Sequence, residues 1–287
     1  MRFEFVEANR GRFVLGRLCR LLGISRSGFY AWLSRTDSQR SREDQRLMLQ
    51  IREIYHESRC TYGCRRVWWE LRFRGETCGR SRIERLMRQN NLQAYKKRRW
   101  KPKGQKGKAD VLATNVLDQD FTTAGLNQAW TADITYIRTR QGWLFLAVVM
   151  DLFSRRIVGW AMNKQATRHL VISALKMAIQ QRRPEGQVVH HSDRGTQYTS
   201  FDFQKALKMA AATCSMSGKG NCYDNAAMES FFSRLKAECI QDRLYKTREE
   251  ARLDLFQWIE GWYNPKRRHS YLGYLSPVEF EKNAAVT

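Results

Sequence analysis

The sequence has 287 residues, of which 43% are hydrophobic, and a formal net charge of +23. This hydrophobic content excludes a disordered chain, and apolar runs such as 144–150 are too short to cross a bilayer. The N-terminus has no apolar core of the signal-peptide type, so we expect a soluble, cytoplasmic protein. The excess of Lys and Arg predicts a polyanionic partner, most simply nucleic acid.

The positive charge is concentrated in the N-terminal part of the chain. Residues 1–110 contain 28 Lys and Arg against 11 Asp and Glu, a net charge of +17. The other 177 residues contain 23 and 17, a net charge of +6. The distribution predicts an N-terminal region that holds DNA and a more balanced C-terminal region that carries acidic chemistry.

The first candidate DNA-binding element is a helix-turn-helix pattern at residues 14–33. Leucines recur at helical spacing up to Gly23, which ends the first helix, and Ser25 can cap the second. Arg26 then lies at the start of a candidate recognition helix. The alternative is a helical hairpin without DNA contact; the surrounding charge favours DNA binding.

Residues 43–93 predict three more helices, each with one apolar stripe that we interpret as core. Residues 81–88 form a second candidate recognition helix, with Arg82 and Arg85 on its polar side. The two helical regions are predicted as domains at 1–40 and 41–93.

Residues 94–110 are predicted to be a flexible basic linker, and we extend the linker domain to residue 120. Eight of these 17 residues are Lys or Arg, including the run Lys96, Lys97, Arg98 and Arg99. Such a run can neutralise several DNA phosphates and makes binding salt-dependent. The alternative is a solubilising tether.

Four potential zinc ligands occur close together in the helical region: His56, Cys60, Cys64 and Cys78. Their spacing is not that of a usual zinc finger. The total of seven Cys is odd and does not resemble a disulfide framework. We therefore interpret these cysteines as buried or half-buried thiols.

After the linker the pattern changes to strands alternating with helices. Three strands are predicted in succession, at 130–138, 142–151 and 156–162, joined by short turns. Two more, at 187–191 and 211–215, are separated and followed by helices. The order predicts an α/β fold, a mixed five-stranded sheet with helices on both faces, over a domain at 121–245, preceded by the all-α region.

Three carboxylates stand out in this part of the chain. Asp133 lies inside the first strand, where a charge is costly unless it is paired or bound to a metal. Asp193 ends the fourth strand, and Glu229 lies on the helix predicted at 226–240, with 35 residues between it and Asp193. If the first and fourth strands are neighbours, these residues form an oxygen-rich pocket suited to Mg²⁺ or Mn²⁺.

Two such ions would support in-line displacement at a phosphodiester. Lys236 and Asn225 share the helix face of Glu229 and are candidate contacts for DNA or a ligand. Taken singly, Asp133 could be an edge-strand charge, Asp193 a turn residue and Glu229 a solvent-exposed helix residue. Two other carboxylates, Asp151 and Asp224, are alternative candidates for the site. Asp151 is expected to cap a turn, and Asp224 to cap the helix that carries Glu229.

The C-terminal segment, predicted as a domain at 246–287, ends in a basic and aromatic tail. Three consecutive cations, Lys266, Arg267 and Arg268, are flanked by tyrosines. Aromatic and cationic side chains together suit a nucleic-acid groove. We expect the three cations to point outward to DNA; the alternative is a tail that packs on the core.

The stretches WTADITYI, HHSDRGTQYTS and NCYDNAAMESFFSRLKAE resemble the three acidic motifs of DDE transposases, which are related to retroviral integrases. The gap from Asp193 to Glu229 matches the family's D-35-E spacing. The chain is most similar to OrfB-type transposases of the IS-three insertion-sequence family, over nearly its whole length. Residues 43–93 resemble that family's helical domain, and WYNPKRRHSYLGYLSPVEF its C-terminal signature.

The resemblance implies an RNase H-like catalytic core with Asp133, Asp193 and Glu229 as metal ligands and Lys236 as a DNA contact. It implies strand cleavage and transfer at the ends of an insertion sequence, with two Mg²⁺ or Mn²⁺ ions, in a bacterial, nucleoid-associated enzyme. It also implies a homo-multimer, and an upstream-frame protein as fusion or partner, because the chain reads as a downstream product starting at Met1.

Two other functions are compatible with parts of the sequence. A non-catalytic DNA-binding regulator would explain the charge but not the three carboxylates. An RNase H-like nuclease would explain the carboxylates but not the duplicated DNA-binding region.

Overall fold

The computed structural model describes residues 2–95, 123–216 and 226–285. The chain forms two compact units, Met1–Arg52 and Glu53–Thr287. Six helices precede the sheet: α1 Arg2–Asn9, α2 Leu15–Leu21, α3 Arg26–Leu33, α4 Gln39–Glu57, α5 Cys64–Phe73 and α6 Arg80–Gln89.

The first unit contains the predicted helix-turn-helix pair. Gly23 has a φ of +63°, which terminates α2, and the Ser25 hydroxyl accepts a hydrogen bond of 3.0 Å from the Gly28 N–H at the start of α3. Both helices are confirmed. Helix α1 was not predicted; its Val6 is buried in the same small core as Phe29.

The second unit is built around a mixed five-stranded sheet. Its strands lie in the order β3-β2-β1-β4-β5, with β1–β2 and β2–β3 antiparallel and β1–β4 and β4–β5 parallel. The bounds are β1 Ala129–Thr139, β2 Gly142–Asp151, β3 Ile157–Asn163, β4 Val188–Ser192 and β5 Ala212–Met216. The predicted fold class is confirmed, and β1 and β4 are neighbours.

Within the described residues, five further α-helices accompany the sheet: α7 Arg168–Arg182, α8 Phe201–Met209, α9 Ala226–Arg234, α10 Arg248–Trp258 and α11 Pro277–Ala284. Helices α9 and α10 continue directly into π-helical stretches at Leu235–Ile240 and Ile259–Tyr263.

The two faces of the sheet have separate hydrophobic cores. On one face, Ile137 and Leu146 pack with residues of α9 and α10. On the other, Ala132 and Val149 pack with residues of α7 and α8. Alternate residues of a strand point to opposite faces, so this pattern assigns each strand position to one helical layer.

Helix α7 lies very close to β3. A Cβ at Gly159 would collide with the backbone of Ala174 and Ala178, so this strand position requires glycine. Across the described ranges, no helix combines the length and the apolar character needed to span a membrane.

Candidate active site

The parallel ladder between β1 and β4 brings the first two carboxylates together. Ala132 pairs with Ser192 at the end of this ladder; Asp133 is the next residue of β1, and Asp193 is the first residue after β4. Asp133 has the strand parity of Ile137, which packs against α9. Asp133 is therefore on the sheet face that α9 covers.

The backbone orients both aspartates. The Ile134 N–H donates a 2.6 Å hydrogen bond to Asp133 Oδ1, and the Gly195 N–H donates a 3.0 Å bond to Asp193 Oδ1. The second bond is an Asx turn at the end of β4. A Cβ at Gly195 would lie 3.0 Å from Asp193 Oδ1, so glycine leaves room for the carboxylate.

Helix α9 supplies the third carboxylate, and the π-helical stretch that continues it supplies a lysine. Glu229 is exposed in the first turn of α9, and Lys236 lies seven residues later, at Leu235–Ile240. The Lys236 ammonium is 5.4 Å from the centre of the Tyr136 ring on β1, a cation–π distance. Lys236 therefore lies beside β1, and its charge acts on Asp133.

The electrostatics of Asp133 show that the four charged groups converge. The pKa of Asp133 is raised to about 7, chiefly by burial and then by the charges of Asp193 and Glu229, while the Ile134 N–H and Lys236 oppose the shift. A half-buried carboxyl beside two like charges is stabilised when a cation or a proton is added.

The donor set fits a hard divalent cation. Three carboxylates provide oxygen ligands of the kind that Mg²⁺ and Mn²⁺ prefer. The excess negative charge around Asp133 is what such an ion would neutralise. Within the described residues, no three His, Cys, Asp or Glu side chains are close enough to hold one ion.

Sequence reasoning missed Tyr198, which lies beside the aspartates. Its hydroxyl is buried with no hydrogen-bond partner in the described ranges. Burial and the charges of Asp133 and Asp193 raise the pKa of Tyr198 well above its ordinary value. The signal in the sequence is its place in the stretch HHSDRGTQYTS, five positions after Asp193.

The competing carboxylate Asp151 is structural. Its side chain is fully buried and accepts hydrogen bonds from the N–H groups of Phe153 at 2.8 Å and Asn127 at 2.9 Å. It therefore caps the turn after β2, as expected. Asp224 and Asn225 lie outside the described residues.

Within the described residues, the side chains considered for zinc do not form a group of three potential ligands. Cys60, Cys64 and Cys78 are half-buried, and the Cys60 sulfur is 4.0 Å from His56 Nδ1.

The candidate DNA contacts of the helical regions lie at different depths. Arg26 is exposed at the start of α3, whereas Arg82 and Arg85 on α6 are half-buried. Arg85 donates to Gln89 Oε1 at 3.0 Å. The linker candidates, Lys96, Lys97, Arg98 and Arg99, lie outside the described residues.

The expectation that all three tail cations point outward is wrong. Lys266 is exposed, but Arg267 and Arg268 are only 2% and 5% exposed. Arg267 forms a bidentate ion pair with Glu238, both hydrogen bonds being 2.6 Å long. Arg268 donates 2.6 Å hydrogen bonds to Glu70 on α5 and Glu279 on α11. Carboxylates from distant segments therefore hold both guanidinium groups inside.

Comparisons with known families agree with this architecture. The family model described as "Integrase core domain" matches residues 124–222, and a second integrase core model matches residues 210–277. The "HTH-like domain" model matches residues 42–100. Together they define a helix-turn-helix-containing enzyme of the integrase class, whose core is RNase H-like.

The relatives extend over almost the whole chain. The transposase InsF for insertion sequence IS3A of Escherichia coli (strain K12) is 41% identical over 288 residues, covering 99% of this chain and all of the relative. The insertion element IS600 uncharacterized 31 kDa protein of Shigella sonnei is 40% identical over 265 residues, covering 92% and 97%. The chain belongs to the IS3 family of insertion-sequence transposases, which act in DNA transposition.

Among solved structures, the chain is similar to the HTLV-2 integrase catalytic core domain in complex with magnesium. The identity is 17%, the TM-score is 0.41, and the alignment covers 54% of this chain and 96% of the other. The sheet order and the family matches, rather than this distant likeness, define the fold.

Proposed function

We propose that Asp133, Asp193 and Glu229 hold the metal ions of the transposase reaction and that the chain cleaves and joins DNA strands at the ends of its insertion sequence. The observation that carries this is the register of β1 and β4. The pair Ala132–Ser192 sets the two aspartates side by side on the face covered by α9, which bears Glu229.

The three carboxylates would hold Mg²⁺ or Mn²⁺, with two ions as the expected number. When bound there, the ions supply activation of the attacking hydroxyl and stabilisation of the leaving oxygen in an in-line displacement. Asp133, partly shielded by the sheet, and Asp193, fixed by its Asx turn, would provide the rigid half of the site. Glu229 would provide the half that closes.

Lys236 would contact a phosphate next to the reacting one. Its charge lowers the pKa of Asp133, which supports a position of the ammonium group near that carboxylate. The proposed contacts away from the catalytic site are Arg26, Arg82, Arg85 and Lys266, together with Asn225 and the linker residues Lys96, Lys97, Arg98 and Arg99. Arg267 and Arg268 are removed from this proposal by their burial.

Family membership also supports a homo-multimer acting on bacterial DNA at the nucleoid, with the upstream-frame protein as fusion or partner. The test is a strand-transfer assay with the full chain, labelled element-end DNA and Mg²⁺, with and without that upstream protein. We expect joined DNA products from the wild type and none from Asp133→Asn, Asp193→Asn or Glu229→Gln.

A matched control removes one charge from an exposed carboxylate between α7 and β4. Glu185→Gln should retain the wild-type rate, since Glu185 is exposed and belongs to no catalytic element. Full strand transfer by any one of the three catalytic-site variants would overturn the proposal.

A further inference from the structure

A cavity of about 290 Å³ lies beside α9 and is strongly basic. Four arginines from four segments line it: Arg66 on α5, Arg155 in the β2–β3 turn, Arg234 at the end of α9 and Arg267 in the C-terminal tail. We call it the basic pocket. Ser230 on α9 also lines the basic pocket. Because Ser230 directly follows Glu229, the pocket contacts a face of α9 next to the one that carries Glu229.

The positive charge of the basic pocket is not balanced by the described residues around it. Arg267 makes its bidentate pair with Glu238, and Arg66 is 3.7 Å from the same carboxylate. In the described part of the chain, neither Arg155 nor Arg234 forms an ion pair with a carboxylate. Among the described ion pairs, the four guanidinium groups therefore have one carboxylate partner between them, an excess of three positive charges.

The pKa of His269, which lines the basic pocket, is affected by all four arginines. Burial lowers the pKa of His269 well below its ordinary value of 6.5, and the charges of Arg267, Arg66, Arg155 and Arg234 lower it further. His269 is therefore neutral at pH 7 and does not add to the charge. Four cations that all act on one buried ring must be close to one another, an arrangement that an anion would stabilise.

The rim and size of the basic pocket suit one nucleotide unit. Tyr271 is 63% exposed at the rim, with the Arg155 guanidinium 4.4 Å from its ring centre. Exposed aromatics beside cations are the features on which single-stranded nucleic acids stack. The volume is just below the roughly 300–1,000 Å³ of small-molecule sites, so a phosphate and its sugar fit but a base pair does not.

We propose that the basic pocket binds a backbone phosphate of a single DNA strand, with Tyr271 against the adjoining sugar or base. That the ligand is DNA rests on the proposed function; that it is a phosphate rests on the positive charge of the pocket, to which Arg155 and Arg234 contribute without a carboxylate partner among the described residues. Because Ser230 follows Glu229, the bound strand would run past α9 next to the strand that is cut. Arg155 and Arg234 are then positioning residues.

The first test measures binding of the full chain to a fluorescein-labelled duplex with a single-stranded 3′ tail, in EDTA so that no cleavage occurs. The variants are Arg234→Gln and Arg155→Asn, the second chosen because Asn tolerates the φ of +59° at this position. The matched control, Arg140→Gln, removes one charge from the exposed β1–β2 turn.

We expect each pocket variant to weaken binding of the tailed duplex about tenfold. The slope of log K against log salt should become less steep by about 0.7 for each lost contact to a single strand. A blunt duplex should show a smaller loss, and the control should change neither quantity. Equal losses in the pocket variants and the control would contradict a specific site.

A second test locates the contact by replacing single phosphates of the tail with neutral methylphosphonates. At one or two positions the wild type should lose affinity, and Arg234→Gln should lose no more there, because the contact is already absent. Independent, additive losses at every position would overturn the proposal. If inorganic phosphate at millimolar concentration displaces the tail equally from wild type and variants, the pocket is not where the tail binds.

These outcomes separate the pocket from the catalytic proposal. Loss of strand transfer in Glu229→Gln with unchanged tail binding in Arg155→Asn and Arg234→Gln would retain the catalytic triad and reject the pocket. If the tail binds specifically in the pocket but the three carboxylate variants are fully active in strand transfer, the pocket is retained and the catalytic triad is rejected.

Discussion

Asp133 and Asp193 each follow directly after a member of the last residue pair, Ala132 and Ser192, in the parallel ladder between β1 and β4. Parallel pairing is what allows two carboxylates, 60 positions apart in the sequence, to end at the same place. Both are fixed through backbone hydrogen bonds, whereas Glu229 reaches the site from the exposed first turn of a helix.

The first prediction concerns Asp133→Asn. The substitution should abolish strand transfer, yet raise the unfolding temperature of the metal-free protein. Burial and two neighbouring carboxylates disfavour the ionised Asp133 side chain, and the amide removes that cost, worth at least about 1 kcal/mol. Thermal denaturation in EDTA near pH 8 measures it. A lower unfolding temperature would contradict this account of the site.

The second prediction concerns the buried pair of Arg267 and Glu238. Glu238→Ala should destabilise the second unit by about 3–5 kcal/mol, because Arg267 would be left buried without its partner. Urea denaturation checks it. As the comparison, Glu84→Ala breaks the exposed α6 pair with Arg88 and should change the unfolding free energy by less than about 0.5 kcal/mol.

The third prediction is a loss of stability in acid that depends on Glu238. Burial opposes its ionisation, but the charge and hydrogen bonds of Arg267 and the charge of Arg66 outweigh this, so the pKa of Glu238 lies below 4.5. A carboxyl with a lowered pKa contributes stability that is complete above its ordinary value and is lost as the pH falls through its folded-state pKa.

The unfolding free energy of the wild type should therefore fall as the pH drops below about 4.5, and more steeply than that of Glu238→Gln. Urea denaturation at a series of pH values provides the two curves. Parallel curves would show that the ionisation of Glu238 does not contribute to stability.

The fourth prediction separates the roles of two neighbouring tail residues. Arg268→Ala should speed hydrogen exchange in α5 and α11, since Arg268 links Glu70 on the first to Glu279 on the second. Lys266→Ala should leave exchange unchanged and weaken DNA binding, because Lys266 is exposed. If both variants bind DNA more weakly and neither changes hydrogen exchange, Arg268 contacts DNA, as the sequence predicted, and does not link the two helices.

The strands and the elements that carry Asp133, Asp193 and Glu229 were predictable because they depend on local pattern. The buried run of β2, the alternation in β1 and the cap at Ser25 each follow from the side chains of one segment. The neighbourhood of β1 and β4 was a condition of the metal-site hypothesis, and the structure shows that it is met.

The burial of Arg267 and Arg268 was not predictable, because their carboxylate partners are far away in the sequence. Glu70 is separated from Arg268 by 198 positions, and Glu238 from Arg267 by 29. Three consecutive cations have the same local pattern whether they face DNA or buried carboxylates. The basic pocket was missed for the same reason, since its four arginines come from four segments.

The most direct test of the central claim is a Mn²⁺ titration of the full chain followed by electron paramagnetic resonance, for the wild type, each of the three carboxylate variants and Glu185→Gln. We predict saturable Mn²⁺ binding that Asp133→Asn and Asp193→Asn abolish, that Glu229→Gln weakens and that the Glu185→Gln control retains. Binding of the wild-type strength in both aspartate variants would show that the ion lies elsewhere and would contradict the account.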